Sequence, residues 1–517
     1  MRLCYHWPDY SLANSEGIVL SVFFNRLSSS QSLLILIGVS LLIKSVMAVL
    51  IPITGDEAYF IVWGNHLDYG YYDHPPMVGW WLAALLQVSD HPLWLRLPTI
   101  IGTTLIGWVM YRLVMPYGKP QALIVAGLYW LAPVHLMAPL ITTDTPLIIF
   151  SFFSGVCFYK AQRQDHFGWY LLSGLLLGLA FYSKFFAGLL GVAYLFYVIL
   201  FVRRGVRPYL GILWVLLGTL PFIGLNLTWN YYHCWNNYLF NLVNRTSDSN
   251  FSVMTFGTYL LLLLYVVTPP IVFFLIRQSK RLREYFRQGR LSVFMALFGL
   301  PILLFMGLSF GKSIGLHWLL SFYPFLFIGM MALLSMRQLQ VSFHFMWSFS
   351  LLHLVAFGIV FAMLPGLIKS NEESYQDLVY AMYTESLLTL VKQNSYDFQL
   401  VTPSYSQSAI LAYHMKQPVP VLGVGSYHGR QDDIITDYRA FDGKGLAIVS
   451  HKADVALYAK YFQHFTHVVL PFKGTQYHLG IGVHFNYAKY EQEVLQNVKQ
   501  YYYQIPDWLP SQGCYYQ

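Results

Sequence analysis

Charge is the scarcest commodity in this sequence. Only 11% of its 517 residues are Asp, Glu, Lys or Arg, while 56% are hydrophobic and the mean hydropathy is +0.47. Soluble domains carry about 25% charged residues, so this composition excludes a soluble protein with an enlarged core. Cysteine is nearly absent as well. Cys4, Cys157, Cys234 and Cys514 stand far apart, which excludes a zinc module built on paired ligands. Cys157 falls in an apolar run and reads as packing, whereas Cys234 and Cys514 both fall on the outer side of the topology below and are able to pair. No internal repeat is visible, which counts against a carrier built from duplicated halves. No cleavable leader is evident, and the first long apolar run reads as a retained span.

Apolar runs of near-membrane length fill the first two thirds. Helices are the economical way across a bilayer because each satisfies its own backbone groups. Taking runs of roughly 20 apolar residues as spans, the chain is expected to cross at Leu33–Ile51, Leu93–Met115, Gln121–Leu140 and Thr145–Tyr159. A tight pair follows, Trp169–Ser183 and Phe185–Val202, both short. Then come Tyr209–Trp229, Thr258–Ile276, Leu291–Phe310, Trp318–Met336 and Phe343–Leu364. That makes about eleven spans.

The net charge of +8 invites a nucleic-acid partner, but the placement of the charges excludes one. Alternating the spans puts Arg26, Lys119, Lys160, Arg163, Arg203, Arg204, Arg207, Arg337 and the basic loop Arg277–Arg290 on one side. The other side receives Lys184, Arg245 and Lys312, and no Arg or Lys at all between Pro52 and Pro92. The first side is therefore cytoplasmic. The expected organisation is a cytoplasmic segment over 1–32, a membrane domain over 33–367 and an outer domain over 368–517. That tail gains charge and alternates strands with helices. Phe398–Thr402 and Val419–Val424 flank a helix near Ser406–Met415, and Gly445–Val449 and His467–Pro471 flank a helix near Asp454–Phe465, an α/β pattern.

The long loop after the first span reads Thr54-Gly55-Asp56-Glu57-Ala58-Tyr59 and continues to Gly70-Tyr71-Tyr72-Asp73-His74-Pro75-Pro76. Adjacent carboxylates at a membrane exit are unusual, because burying either costs several kcal/mol unless it is partnered. The plainer alternative is that Asp56 caps a surface helix beginning at Glu57. The aromatic stretch Tyr59–Trp63 suits the membrane interface. Asp144, in Thr143-Asp144-Thr145-Pro146, is either an N-cap or a functional carboxylate. Lys184 either snorkels or, between two short spans, meets an anionic partner. Arg96 is a further cation, and His317 and Tyr323 mark the outer end of a late span, as an aromatic belt or as ligand contacts.

These pieces, in this order, resemble the bacterial members of the protein O-mannosyltransferase and lipid A aminoarabinose transferase superfamily, glycosyltransferase family 39 and its relatives, with the GT-C fold. The matching segments are Asp56-Glu57-Ala58-Tyr59, Gly70 to Pro76, Arg96-Leu97-Pro98, Thr143 to Pro146, Ser183-Lys184 and His317-Trp318 with Tyr323-Pro324, covering roughly residues 33 to 340. The resemblance implies a polytopic α-helical membrane enzyme with a small C-terminal α/β domain. It also implies a polyprenyl-phosphate sugar as donor, Asp56 as base and Glu57 as its support or a sugar contact. Lys184, His74 and Arg96 are then candidates to hold the phosphate. Asp144 would orient one of them or bind the sugar, and Tyr59, Asp73, His317 and Tyr323 would complete the substrate site. The acceptor is a glycolipid such as lipid A, a polysaccharide or a protein. The carboxylates and His74 leave a divalent cation open, but no ligand spacing compels one. The resemblance places the chain in a bacterial inner membrane with its site and tail periplasmic. The rival is a lipid or amphiphile transporter, which expects its polar groups at the bilayer midplane.

Overall fold

The computed structural model describes residues 28–202, 205–245, 251–288, 291–367 and 372–512. Most of the N-terminal segment, with Cys4 and Arg26, lies outside these residues, as do Arg203, Arg204, Arg290, the first residues of the tail and Cys514. Cys234 is disulfide-bonded, but the pairing weighed above involves Cys514 and so lies outside the described residues.

The first helix runs Ser29–Leu50 and starts on a reciprocal cap, in which Ser28 and Gln31 satisfy each other's backbone amides. Among the described residues four helices are long and apolar enough to cross a membrane: Ser29–Leu50, Leu97–Tyr117, Arg207–Tyr232 and Met336–Met363. The helix pair Val253–Val267 and Pro269–Arg277 is together long and apolar enough for a fifth, but it is bent by 97° at its break. The chain is thus a multi-pass membrane protein, but length and apolarity pick out fewer spans than the sequence suggested.

The difference has local causes. Thr268 adopts φ 74° before Pro269 and Pro270, residues that cannot continue a helix hydrogen-bond ladder, so Thr258–Ile276 is not one rod. Pro133 stops the helix Lys119–Leu131 in the same way and leaves only the turn Pro133–Leu136 where Gln121–Leu140 was expected. Trp318–Met336 reduces to Leu316–Leu319 and Tyr323–Met330. The apolar helices Phe167–Phe181, Ala187–Phe201 and Ser292–Leu308 are 15, 15 and 17 residues long. Short or irregular elements are tolerated at membrane depth where protein rather than lipid surrounds them.

Two helices stand where the sequence suggested a long loop, Gly55–Asn65 and Met77–Leu86. Their apolar residues do not face lipid. Tyr59, Phe60, Trp63, Val78 and Leu82 share one core with Val379, Leu387, Leu411 and Leu479 of the C-terminal module. The stretch expected to lie along the interface is therefore interior: Trp63 is fully buried and stacks on Tyr71 with ring centres 4.5 Å apart.

The module is a four-stranded sheet flanked by helices. Strand β1 is Gln399–Val401, β2 Leu446–Ser450, β3 Phe462–Phe472 and β4 Thr475–Phe485, in the order β1-β2-β4-β3. β1 and β2 are parallel, and the other pairs are antiparallel. Lys473 and Gly474 both take positive φ, giving the two-residue turn that suits the twist of a hairpin. Two expectations fail here. Val419–Val424 makes only an isolated bridge at Val421, and the helix near Asp454–Phe465 is a 3₁₀ stretch, Ala453–Tyr461, that runs straight into β3. The expected helix Ser406–Met415 is present as Tyr405–Met415.

Candidate active site

Asp56 lies in the first turn of helix Gly55–Asn65, where the helix dipole favours a carboxylate. The cap is Thr54, not Asp56. Thr54 and Glu57 form a reciprocal box, in which Glu57 N donates to Thr54 Oγ1 at 3.3 Å and Thr54 N donates to Glu57 Oε2 at 3.2 Å. This frees Asp56 from a capping duty. It is exposed, and it accepts one hydrogen bond, at 3.1 Å on Oδ1, from the hydroxyl of Tyr405 in the C-terminal module.

Glu57 has a different fate from its neighbour. Its carboxylate is wholly buried and clasped by Arg96, with Nε to Oε1 at 2.9 Å and Nη2 to Oε2 at 2.6 Å, and Ile141 N adds a bond to Oε1 at 3.1 Å. The remaining donors of Arg96 go to the carbonyls of Ala48, Ile51 and Pro52. All five guanidinium N–H groups are thereby spent inside the protein. The geometry thus corrects two sequence expectations. Arg96 has no donor left for a phosphate, and both carboxylate oxygens of Glu57 are taken up inside the protein by Arg96, Ile141 and Thr54. Together they pin the exit of the first helix to the start of the next.

The segment Gly70–Pro76 folds back as a tight loop, with Tyr71 N donating to the carbonyl of His74 at 3.0 Å. Asn237 gathers its carbonyls, donating to those of Tyr71, Tyr72 and His74, and Asn241 donates to that of Asp73 at 3.0 Å. Asp73 is buried and accepts from the Tyr59 hydroxyl at 3.0 Å. Burial pushes its carboxyl up to about 7. Gln431 locks this corner from the module: its N–H donates to Tyr59 Oη at 3.1 Å, and its Oε1 accepts from Tyr72 N at 2.8 Å.

Asp144 opens helix Asp144–Gln164 without capping it, and Lys184 donates to both of its carboxylate oxygens at 2.9 Å. Lys184 therefore does not snorkel to water. The pair is mostly buried; the Lys184 charge bears on His74 and His317, and the Asp144 charge on His317 and Arg245. Burial, and next the nearby cations, depress the basicity of His74. Burial does the same for His317 and His428, the Asp144 charge opposing it at His317 and Arg245 reinforcing it at His428. Phe240 stands between His74 and His428, with ring centres 6.1 and 5.5 Å away. Arg245 lies over the Trp318 ring at 4.9 Å and makes no ion pair among the described residues, while Lys312 donates to its backbone carbonyl.

Tyr323 stands apart from this cluster. It is buried and donates to the carbonyl of Val266 at 2.8 Å, packed among the helices next to His135, so it lines no outer site. Among the described residues no group of three or more His, Cys, Asp or Glu is arranged to hold a metal ion.

Comparison with known proteins places this arrangement. Residues 73–229 match the family model described as dolichyl-phosphate-mannose-protein mannosyltransferase. Residues of the chain are 28% identical over 134 positions to the lipid A galacturonosyltransferase RgtD of Rhizobium johnstonii, covering 25% of this chain. The chain spans 28% of the length of that curated relative. The fold agrees much more widely. It superposes on crystal structures of ArnT from Cupriavidus metallidurans in the apo state (TM-score 0.62, 16% identity) and bound to undecaprenyl phosphate (TM-score 0.63, 14% identity). These cover 87% and 88% of this chain, and 98% of each ArnT chain. Nearly the whole chain thus shares the fold of ArnT, and its residues 73–229 resemble the mannosyltransferase family in sequence.

The sequence pointed to Asp56, Asp73, His74, Asp144, Lys184 and His317, and their charges bear on one another in the folded chain: Asp56 on Asp73 and His317, Lys184 on His74 and His317, and Asp144 on His317. It missed Arg245, Tyr405, His428 and Gln431. Arg245 carried one signal, as a lone cation on the side poor in basic residues. The other three lie in the tail, where the only hint was the glycine-rich run Gly423 to Arg430. Gly429 in that run has φ 64° and lies so close to Tyr405 that a Cβ would stand 2.1 Å from its ring.

Proposed function

We propose that the chain is a glycosyltransferase that moves a sugar from a polyprenyl-phosphate carrier to an acceptor hydroxyl or phosphate. The acceptor would be lipid A, another glycolipid, a polysaccharide or a protein, at the periplasmic face of a bacterial inner membrane. One observation carries this reading. An exposed carboxylate, Asp56, lies near enough for its charge to bear on His317 and His428, which also feel Arg245, while Lys184 bears on His74 and His317, so a base and two cations act on one set of side chains. The RgtD and ArnT likenesses support it. The division into 1–32, 33–367 and 368–517 belongs to the same proposal.

The chemistry asks two things of the protein. The acceptor hydroxyl must lose its proton as it attacks the anomeric carbon, and Asp56 would take it. The bond from that carbon to the lipid phosphate breaks with its electron pair leaving on phosphate oxygen. The growing charge there needs donors already in place, and Lys184 and Arg245 supply them, with Asp144 holding the lysine. One base and one leaving group make a single displacement with inversion. Glu57 and Arg96 hold the helix that carries Asp56 rather than touching substrate.

The deciding experiment compares envelope glycolipids and glycans by mass spectrometry in cells carrying the native chain or Asp56→Asn. Loss of one fixed sugar mass in the variant identifies sugar and acceptor class together. An unchanged profile with folded, inserted variant removes Asp56 as base and turns attention to lipid transport.

A further inference from the structure

The reading above explains Asp56 but leaves unexplained why the C-terminal module touches it. The contact is close and deliberate in its geometry. Gly55 meets the start of helix Tyr405–Met415 so tightly that a Cβ there would stand 2.6 Å from the Cβ of Ser406. This puts the hydroxyl of Tyr405 on Asp56 Oδ1 at 3.1 Å, while Oδ2 accepts no hydrogen bond among the described residues.

The tyrosine itself is held from two sides. Its ring meets Tyr59 edge-on with centres 5.2 Å apart, and the backbone of Gly429 closes the other flank, where no side chain fits. Tyr59 is in turn fixed by Asp73 and by the Gln431 amide. A free aspartate at a helix start turns about two bonds. One whose first oxygen is tied to a wedged phenol does not, and its second oxygen keeps one direction.

We propose that Tyr405 is a positioning residue for Asp56, supplied by the C-terminal module: it occupies Oδ1 and presents Oδ2 to the proton of the acceptor hydroxyl. The inference rests on Asp56 as base. In the step it serves, the proton passes to Oδ2, the acceptor oxygen bonds to the anomeric carbon and the phosphate leaves with the electron pair. The module is thus part of the catalytic apparatus and not an appended binding domain.

The test is steady-state transfer by the full-length chain in detergent or proteoliposomes, with kcat and donor KM measured separately and thermal unfolding run in parallel. Tyr405→Phe keeps the ring and loses only the hydroxyl. It is expected to lower kcat by about 10-fold or more, the scale of one hydrogen bond to a charged group. Donor KM should stay within about twofold and the unfolding temperature should not move. Gly429→Ala displaces the ring and is expected to lower kcat in the same way. Native kcat in Tyr405→Phe overturns the proposal, as does a loss confined to KM or one matched by a drop in unfolding temperature. Asp56→Asn separates the two claims. If it is inactive while Tyr405→Phe is not impaired, only the positioning role fails. If Asp56→Asn is active, the base assignment fails first and this inference with it.

Discussion

Arg96 and Glu57 form a buried ion pair with no exposed side-chain surface on either partner, and every donor of the arginine is used within the protein. Adjacent carboxylates in the sequence therefore divide their labour: Glu57 faces inward and is structural, Asp56 faces outward and is available. Breaking a buried pair by removing one partner strands a charge, at a cost of about 3–5 kcal/mol. Arg96→Leu is expected to unfold far below the native chain in detergent and to be poorly inserted. Asp56→Asn should unfold with the native chain. Equal unfolding temperatures for native and Arg96→Leu proteins would refute the structural assignment.

Phosphate recognition gives a kinetic prediction. Lys184 and Arg245 each offer a charged hydrogen-bond donor, worth about 1.5–3 kcal/mol. Lys184→Met and Arg245→Met should therefore weaken use of the polyprenyl-phosphate donor by about 10- to 100-fold. Competition by the sugar-free polyprenyl phosphate should weaken in step. Lys184→Met should affect stability more than Arg245→Met, because it also leaves Asp144 buried without its partner.

The raised carboxyl of Asp73 predicts a pH dependence of stability. Burial moves it from the ordinary 3.8 to about 7, so between these limits the folded chain binds a proton that the unfolded chain has lost. Stability from this group is then greatest at the acid end of the window and falls as pH rises towards about 7. Asp432, pushed up to about 7 by its own burial, acts in the same direction. Asp73→Asn should flatten the profile between pH 4 and pH 7, measured as unfolding temperature. A profile that keeps its native slope would show that Asp73 does not titrate in that range.

If Lys184 and Arg245 neutralise the leaving phosphate as proposed, transfer should not depend on an added metal. Activity after exhaustive chelation should match the untreated enzyme within about twofold, with no gain on adding magnesium, manganese or zinc, ions that would otherwise act as the phosphate clamp. Loss on chelation with recovery by one cation would assign that role to the metal instead.

Much of the fold was legible in the sequence, and what was not has separate physical causes. Local patterns that carry their own physics survived, as in the first apolar helix and the Tyr405–Met415 helix. Pairings between distant residues did not. Nothing near Glu57 announces Arg96, and nothing near Asp56 announces Tyr405, 349 residues away. β4 is a different kind of miss. Tyr477, Leu479, Ile481, Val483 and Phe485 alternate with period two, as a strand should. Gly480 and Gly482 dilute that signal, yet they exist because Phe465 and Phe462 of β3 lie over them. Among the described residues fewer helices than eleven are long and apolar enough to cross a membrane, in part because Pro133 and the Thr268-Pro269-Pro270 corner interrupt apolar runs whose hydropathy alone looks continuous.

The shared core of helix Gly55–Asn65 and the C-terminal sheet sets an order of events during synthesis. Tyr59, Phe60 and Trp63 leave the ribosome long before Leu387, Leu411 and Leu479, which bury them. Until the last strands are made, the segment bearing Asp56 has no finished surface to pack against and Tyr405 is not there to hold it. A nascent or truncated chain can sit in the membrane without a working centre. On the proposed reading, the catalytic centre is complete only once the last strands of the polypeptide are made.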